Sequence, residues 1–325
     1  MVMRMVLCED IRLGALCTEN LGAELSKKWR EARIEKYKVL IGHSIEEKAQ
    51  YIALFGNLFG RERVAEAVLD ELFHAVNQAE DLHVLLFLGQ GEYNRVNYRS
   101  DKPKNLHLIC MEIDGTFVDE MISIQILGGT VDLRLDNNTA LMIGKGTEGR
   151  YGLSGLEEYH IIPSFEPTGF EDSLNKTFGY AVLEWESDGI IDYIETEEQV
   201  YFYHSEEIEL RPDDDEYRIS NMMELIGRDY GKSTILRVTL SGNTMFGLLI
   251  NARKLKEILQ KHVFYADVFD NTNMDIDRSS FENDISLASE FVRLTMQDDS
   301  LSETERNRMI CFGWNALNGN EVSAE

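Results

Sequence analysis

The chain has 325 residues, of which 43% are hydrophobic and 28% charged, enough to bury two cores, and no apolar run approaches the roughly 20 residues needed to span a bilayer. Acidic residues outnumber basic ones 58 to 32, a net charge of −26 that repels a phosphate backbone and argues against autonomous nucleic-acid binding. Four widely spaced cysteines with no Cys-x-x-Cys pair point away from a disulfide scaffold or zinc cluster and toward a reduced, cytoplasmic setting.

Three short apolar runs each pass into a polar loop. Met5-Val6-Leu7-Cys8 leads to Glu9-Asp10-Ile11-Arg12, Tyr51-Ile52-Ala53-Leu54-Phe55 to Gly56-Asn57-Leu58-Phe59, and Val84-Leu85-Leu86-Phe87-Leu88 to Gly89-Gln90-Gly91-Glu92. Continuous apolar runs of this length read as buried parallel strands. Between them, residues 25–50 have a helical composition with a break expected at Gly42, and residues 62–78 place Ala67, Val68, Leu72 and Ala75 on one helical face. The β-α-β-α-β order predicts a parallel sheet whose carboxyl-end loops gather Asp10, Asn57, Gln90 and Glu92 on one rim. A sharp turn is expected at Gly89-Gln90-Gly91.

After a strand at residues 106–110 the pattern changes to short β segments, at 121–127, 130–135, 139–143 and 159–162. An antiparallel pair follows at 178–185 and 190–196, with a turn at 187–189. Beyond the acidic linker Arg211-Pro212-Asp213-Asp214-Asp215-Glu216, the order is helix (217–227), strand (234–240), helix (251–261) and strand (264–269). Two amphipathic helices close the chain, at 280–296 with Phe281, Ile285, Ala288, Phe291 and Val292 on a stripe, and at 303–317 with Ile310, Trp314 and Leu317. The resulting division is 1–200, 201–275 and 276–325. Gly227-Arg228-Asp229-Tyr230-Gly231-Lys232-Ser233-Thr234 imitates a phosphate-binding loop, but it is one residue short between its glycines and precedes its strand, so an αβ turn accounts for it better.

The three strand-loop units resemble the calcineurin-like metallophosphoesterases, and among them the SbcD/YhaO-type DNA repair exonucleases. Leu13-Gly14-Ala15, Leu58-Phe59 and Asn97-Tyr98-Arg99-Ser100-Asp101-Lys102-Pro103 carry the likeness further, as does the segment from Pro163 to Asp172. The resemblance implies an α/β fold: a metallophosphoesterase-like β-sandwich flanked by helices, a small α/β capping module and C-terminal helices. It also implies Asp-x-His, Gly-Asp, Gly-Asn-His-Asp/Glu and Gly-His-x-His as ligand motifs. Here Asp10 matches, but Arg12, Asn57, Gly91, Lys145 and Thr147 stand where ligands or the catalytic imidazole are expected, and the third loop reads Gly89-Gln90-Gly91-Glu92. Arg cannot deprotonate to become a ligand, and Asn lacks the charge of a bridging carboxylate.

The expectation is a catalytically degenerate subunit without manganese or magnesium. It would act as a scaffold or regulator with an SbcC-like coiled-coil ATPase that grips Phe281, Ile285, Phe291, Val292, Ile310, Trp314 and Leu317. DNA would be met only indirectly, and a homodimer is compatible with the pattern. Two further readings stay open: an active metal-dependent exonuclease or phosphodiesterase with a rebuilt site, Asp10, Asn57, Gln90 and Glu92 holding one hard cation through oxygens, and an anion site using Arg12 and Lys145. An Asp10–Arg12 ion pair filling the place of the metals is the plainest alternative to either.

Overall fold

A computed structural model describes residues 2–60, 65–119, 121–135, 140–146, 149–174, 176–186, 189–274, 276, 278–282 and 284–319. These fall into two compact units, Met1–Tyr201 and Phe202–Glu325, so that the final helices share a unit with the α/β module instead of standing alone.

In the first unit the strands are β1 (Met3–Glu9), β2 (Tyr51–Phe55), β3 (His83–Leu88), β4 (Leu106–Cys110), β5 (Gly115–Val118), β6 (Ser123–Leu127), β7 (Thr130–Arg134), β8 (Ala140–Lys145), β9 (Tyr151–Ser154), β10 (His160–Ile161), β11 (Gly179–Glu186) and β12 (Gly189–Glu197). The helices are α1 (Gly22–Glu46), α2 (Glu66–Asn77), α3 (Gln90–Asn97) and the single turn α4 (Phe170–Ser173). One sheet runs β12-β11-β1-β2-β3-β4, with β1 to β4 parallel and β11 antiparallel to both β1 and β12. The other is an antiparallel meander, β10-β9-β8-β7-β6-β5.

Alternation along the parallel strands feeds two separate cores. Val6, Cys8, Ile52, Leu54, Val84 and Leu86 face Tyr37, Leu40, Leu72 and Phe73 of α1 and α2. Met5, Leu7, Ala53, Phe55, Leu85 and Phe87 face Ile124, Val131, Leu133, Leu141, Ile143 and Leu153 of the second sheet. The layers are therefore helices, sheet, sheet. The outer side of the second sheet is open, with Leu127 and Met142 more than half exposed.

The second unit contains β13 (Phe202–Leu210), α5 (Glu216–Asp229), β14 (Thr234–Thr244), α6 (Ala252–Gln260), β15 (Tyr265–Asp270), β16 (Asn273–Met274), a 3-10 turn at Arg278–Phe281, α7 (Leu287–Met296) and α8 (Glu303–Leu317). Its sheet is parallel in the order β13-β14-β15, with β16 beside β14. Leu236, Val238 and Leu240 pack against Ile219, Met223, Leu255 and Leu259 of α5 and α6.

Several elements depart from the sequence pattern. α1 continues through Gly42, whose position has open space around it, because Tyr37, Leu40 and Ile41 anchor that turn in the core. Such burial outweighs the roughly 1 kcal/mol that glycine costs a helix. Gly89 does not begin a sharp turn: it is the extended N-cap of α3, which starts at Gln90. β13 was not foreseen, since Ser205-Glu206-Glu207-Ile208-Glu209 is acidic on both faces. The first terminal helix starts at Leu287, where Ser286 Oγ accepts the Ser289 amide, so Phe281 lies outside it. Val64 and Thr139, placed in elements on sequence grounds, lie outside the described residues.

Candidate functional site

The parallel register sets the loops after β1, β2 and β3 at one edge of the sheet, with Glu9 level with Phe55 and Phe55 with Phe87. The first two loops are laced together by their backbones. Asp10 N–H donates to Phe55 O at 2.8 Å, Arg12 N–H to Asn57 O at 3.0 Å and Leu13 N–H to Leu58 O at 2.9 Å. This lacing holds Asp10 (φ 54°) and Arg12 (φ 49°) in the left-handed region, which non-glycine residues seldom adopt. Gly56 (φ 79°) has a second reason to be glycine: a Cβ there would lie 2.6 Å from Asp10 Oδ1.

Both carboxylate oxygens of Asp10 are engaged. Oδ1 accepts the Asn57 side-chain amide at 2.9 Å and the Asn57 backbone N–H at 3.1 Å. Oδ2 accepts Arg12 Nη2 at 2.6 Å, and Arg12 Nη1 reaches Asp172 Oδ2 at 3.1 Å. Asp172 Oδ2 also accepts the Thr168 N–H and hydroxyl, both at 3.0 Å, and the other oxygen of Asp172 meets Lys176. Burial alone would raise the Asp172 carboxyl, but the Lys176 hydrogen bond and the Arg12 charge outweigh it and hold the group below the usual carboxylate range. The rim is thus a chain of alternating charge, Asp10–Arg12–Asp172–Lys176.

Glu92 belongs to the same rim. As the third residue of α3 it accepts Leu58 N–H at 3.0 Å on one oxygen and Phe59 N–H at 2.9 Å on the other, tying the third loop to the second. Gln90 instead donates to Asn94 Oδ1 at 2.8 Å and accepts the Cys110 thiol at 3.5 Å. Gly91 has open space at its Cβ position. Lys145 Nζ sits 5.3 Å from the centre of the Tyr151 ring, and Tyr151 borders Gly56. Thr147 lies outside the described residues. Burial and the charges of Asp10 and Glu9 push the Tyr151 hydroxyl up to about 12.

The donor set does not suit the two-metal cluster that the resemblance implies. A divalent pair needs several free carboxylate and imidazole lone pairs, whereas Asp10 and Glu92 spend theirs on Arg12, Asn57 and backbone amides. Among the described residues, no group of three His, Cys, Asp or Glu side chains is placed to hold a metal ion. No protein-family model and no curated protein matches the chain.

Behind the rim lies a second set of charges that the sequence pattern did not single out. Arg33 and Lys36, one turn apart on α1, are buried. Arg33 donates to Ile11 O at 2.9 Å in the first loop and to Pro167 O at 3.0 Å. Lys36 Nζ donates to Phe165 O at 2.7 Å, Glu166 Oε1 at 2.9 Å and Glu198 O at 2.6 Å, and it stands 4.8 Å from the Phe165 ring centre. Glu9, also buried, accepts Arg150 Nε and the Tyr151 N–H, both at 2.8 Å, and the Ser164 hydroxyl at 2.9 Å. The one available signal was Glu9 directly after an apolar strand, since a carboxylate there needs partners. Arg33 and Lys36 look like ordinary surface residues of a charged helix.

The terminal residues divide. Phe281, Val292 and Ile310 are buried in a cluster that also takes in Phe246, Phe291 and Trp314, with the Phe246, Phe281 and Trp314 rings 4.9 to 5.6 Å apart. Ile285 and Leu317 are exposed. Most of the expected docking stripe is therefore already spent inside the second unit. The imitation phosphate loop is an αβ turn between α5 and β14, where Lys232 Nζ donates to the Lys261 carbonyl at 2.5 Å.

Proposed function

We propose that the chain is a catalytically degenerate relative of the SbcD/YhaO-type metallophosphoesterases, serving as a scaffold or regulatory subunit beside a coiled-coil ATPase. The observation that carries this reading is Arg12. The family's first loop would offer an imidazole here, and this chain offers a guanidinium locked between Asp10 and Asp172. A fixed positive charge at this place repels a dication and also consumes the aspartate that would bind it. The parallel strands with their loops at one edge, backed by an antiparallel sheet, support the fold-level part of the reading.

The experiment is elemental analysis for manganese and magnesium on the purified protein, together with hydrolysis of bis-p-nitrophenyl phosphate and linear DNA. The expected result is no stoichiometric metal and no turnover above background. Metal-dependent turnover that disappears in Asp10→Ala would overturn the reading and favour the rebuilt exonuclease. The partner is tested by co-purification with coiled-coil ATPases from the source cell. With Phe281, Val292 and Ile310 facing inward, Ile285, Leu287, Leu294, Met309 and Leu317 are, among the described residues, the exposed large apolar side chains of this region that could meet it.

A further inference from the structure

At the opposite end of the parallel strands, four side chains converge between the two sheets of the first unit. Tyr51 opens β2, His83 opens β3, His107 is in β4, and Asp119 follows β5, the edge strand of the second sheet. Tyr51 hydroxyl donates to Asp119 Oδ2 at 2.9 Å. His83 Nδ1 lies 3.0 Å from His107 Nε2 and 3.6 Å from Asp119 Oδ2.

The two imidazoles are related in a particular way. Their planes are within 6° of parallel, yet their centres are 5.2 Å apart while the facing nitrogens are at 3.0 Å. Stacked rings could not bring nitrogens so close without overlapping, so the rings lie edge to edge in nearly one plane. One N–H then points straight at one lone pair. The Asp119 carboxylate beside His83 Nδ1 favours the hydrogen on that nitrogen, with His107 Nε2 accepting it. An ion shared by both nitrogens would have to occupy the line that this hydrogen bond already fills.

We propose that His83 and His107, on neighbouring strands of the first sheet, form an acid-sensitive joint beneath β5 of the second, closed by the single hydrogen between their facing nitrogens and opened when His107 Nε2, whose ring meets Phe117 of β5, takes a proton of its own. A proton added elsewhere on His83 leaves the joint intact and strengthens the bond, since the donor becomes cationic beside Asp119. A proton on His107 sets two N–H groups and two positive rings against each other, with one carboxylate to balance them. Among the described residues, the titratable groups facing the pair are Tyr51 from β2 and Asp119 after β5, and the Phe117 ring of β5 lies 4.9 Å from His107.

Burial and His83 both push His107 below the ordinary histidine value, while Asp119 pulls the other way. The sign follows. A histidine with a lowered folded pKa leaves the fold at full stability above about pH 6.5 and weakens it as the pH drops toward the lowered value. β5 should feel this first, because three of its four residues are exposed and Phe117 is its contact with the joint. This inference is independent of the reading of the rim.

Hydrogen exchange of residues 115–118 in the full chain tests it, after correction for the intrinsic pH dependence of exchange. The corrected rates of these amides should rise as the pH falls from 7 to 5. His107→Gln keeps an acceptor for His83 but cannot titrate, and its exchange should stay level across that range. The same acceleration in His107→Gln, or none in the native chain, would overturn the proposal. Should the variant fold poorly, the Cε1 proton of His107 in the native chain decides. A midpoint below that of an ordinary histidine supports the joint, and one at or above it refutes it. Zinc that slows β5 exchange at pH 7 would also refute it, because the nitrogens would then converge on metal.

Discussion

Asn57→Asp tests the rim most directly, because it restores the carboxylate that a metal-binding second loop would carry. In the present rim the Asn57 amide nitrogen donates to Asp10 Oδ1 at 2.9 Å. A carboxylate oxygen in its place turns that contact into a repulsion. At such a distance two unit charges interact by about 1.4 kcal/mol in water and about 6 kcal/mol near a protein surface. Asn57 is exposed, which favours the lower figure, and Arg12 compensates part of the charge. Losing a hydrogen bond to a charged acceptor adds about 1.5–3 kcal/mol. The net expectation is a loss of about 2–3 kcal/mol at pH 7.5 and low salt. The new pair can escape by holding a proton, so its pKa is raised above the unfolded value near 3.9. The penalty is therefore absent at low pH and grows as the pH rises. Urea unfolding at pH 7.5 and pH 5.0 reads both the size and the trend. A variant as stable as the native chain, or one that gains manganese-dependent hydrolysis, would refute the account of the rim.

Three other outcomes follow from the same geometry. Lys36→Met leaves the buried Glu166 carboxylate without the ammonium that pairs with it, the Val200 amide still donating to it, and should cost about 3–5 kcal/mol in urea unfolding, partly recovered by adding Glu166→Gln. Trp314→Ala removes a ring from the Phe246–Phe281 cluster and should cost about 2–4 kcal/mol, with faster proteolytic cleavage at residues 297–302; unchanged cleavage would show that the terminal helices are not held by this core. With its hydroxyl held near 12, Tyr151 stabilises the fold below pH 10 and progressively less up to pH 12, so Tyr151→Phe should flatten the fall of the urea midpoint across that interval.

The parallel half of the fold was legible because its first three strands are apolar runs of four or five residues with helical sequence between them. The meander was readable in outline from the alternation in Ser123–Leu127 and Thr130–Arg134, whose buried and exposed residues take turns. β13 was hidden, since glutamates fall on both of its faces and erase the period of two. At the rim, the sequence placed Asp10, Asn57, Gln90 and Glu92 together through strand register, and of these Gln90 turns instead to Asn94 and the Cys110 thiol. It could not reveal Asp172 as the second partner of Arg12, for those residues are 160 positions apart and meet only through the fold. The His83–His107 pair was hidden for a similar reason. Their spacing of 24 has no helical meaning, and they meet because β3 and β4 are neighbours in the sheet.

Three cations that brace the rim are side chains. Arg12 links the first loop to Asp172, Arg33 reaches its Ile11 carbonyl from behind, and Lys36 holds the segments around Phe165 and Glu198. A bound ion can be stripped by a chelator, exchanged for a competitor or lost on dilution. A tethered ammonium or guanidinium can do none of these, and each arrives in fixed stoichiometry with the polypeptide. The polypeptide itself therefore supplies the positive charge of these three links, and only a change of sequence removes it.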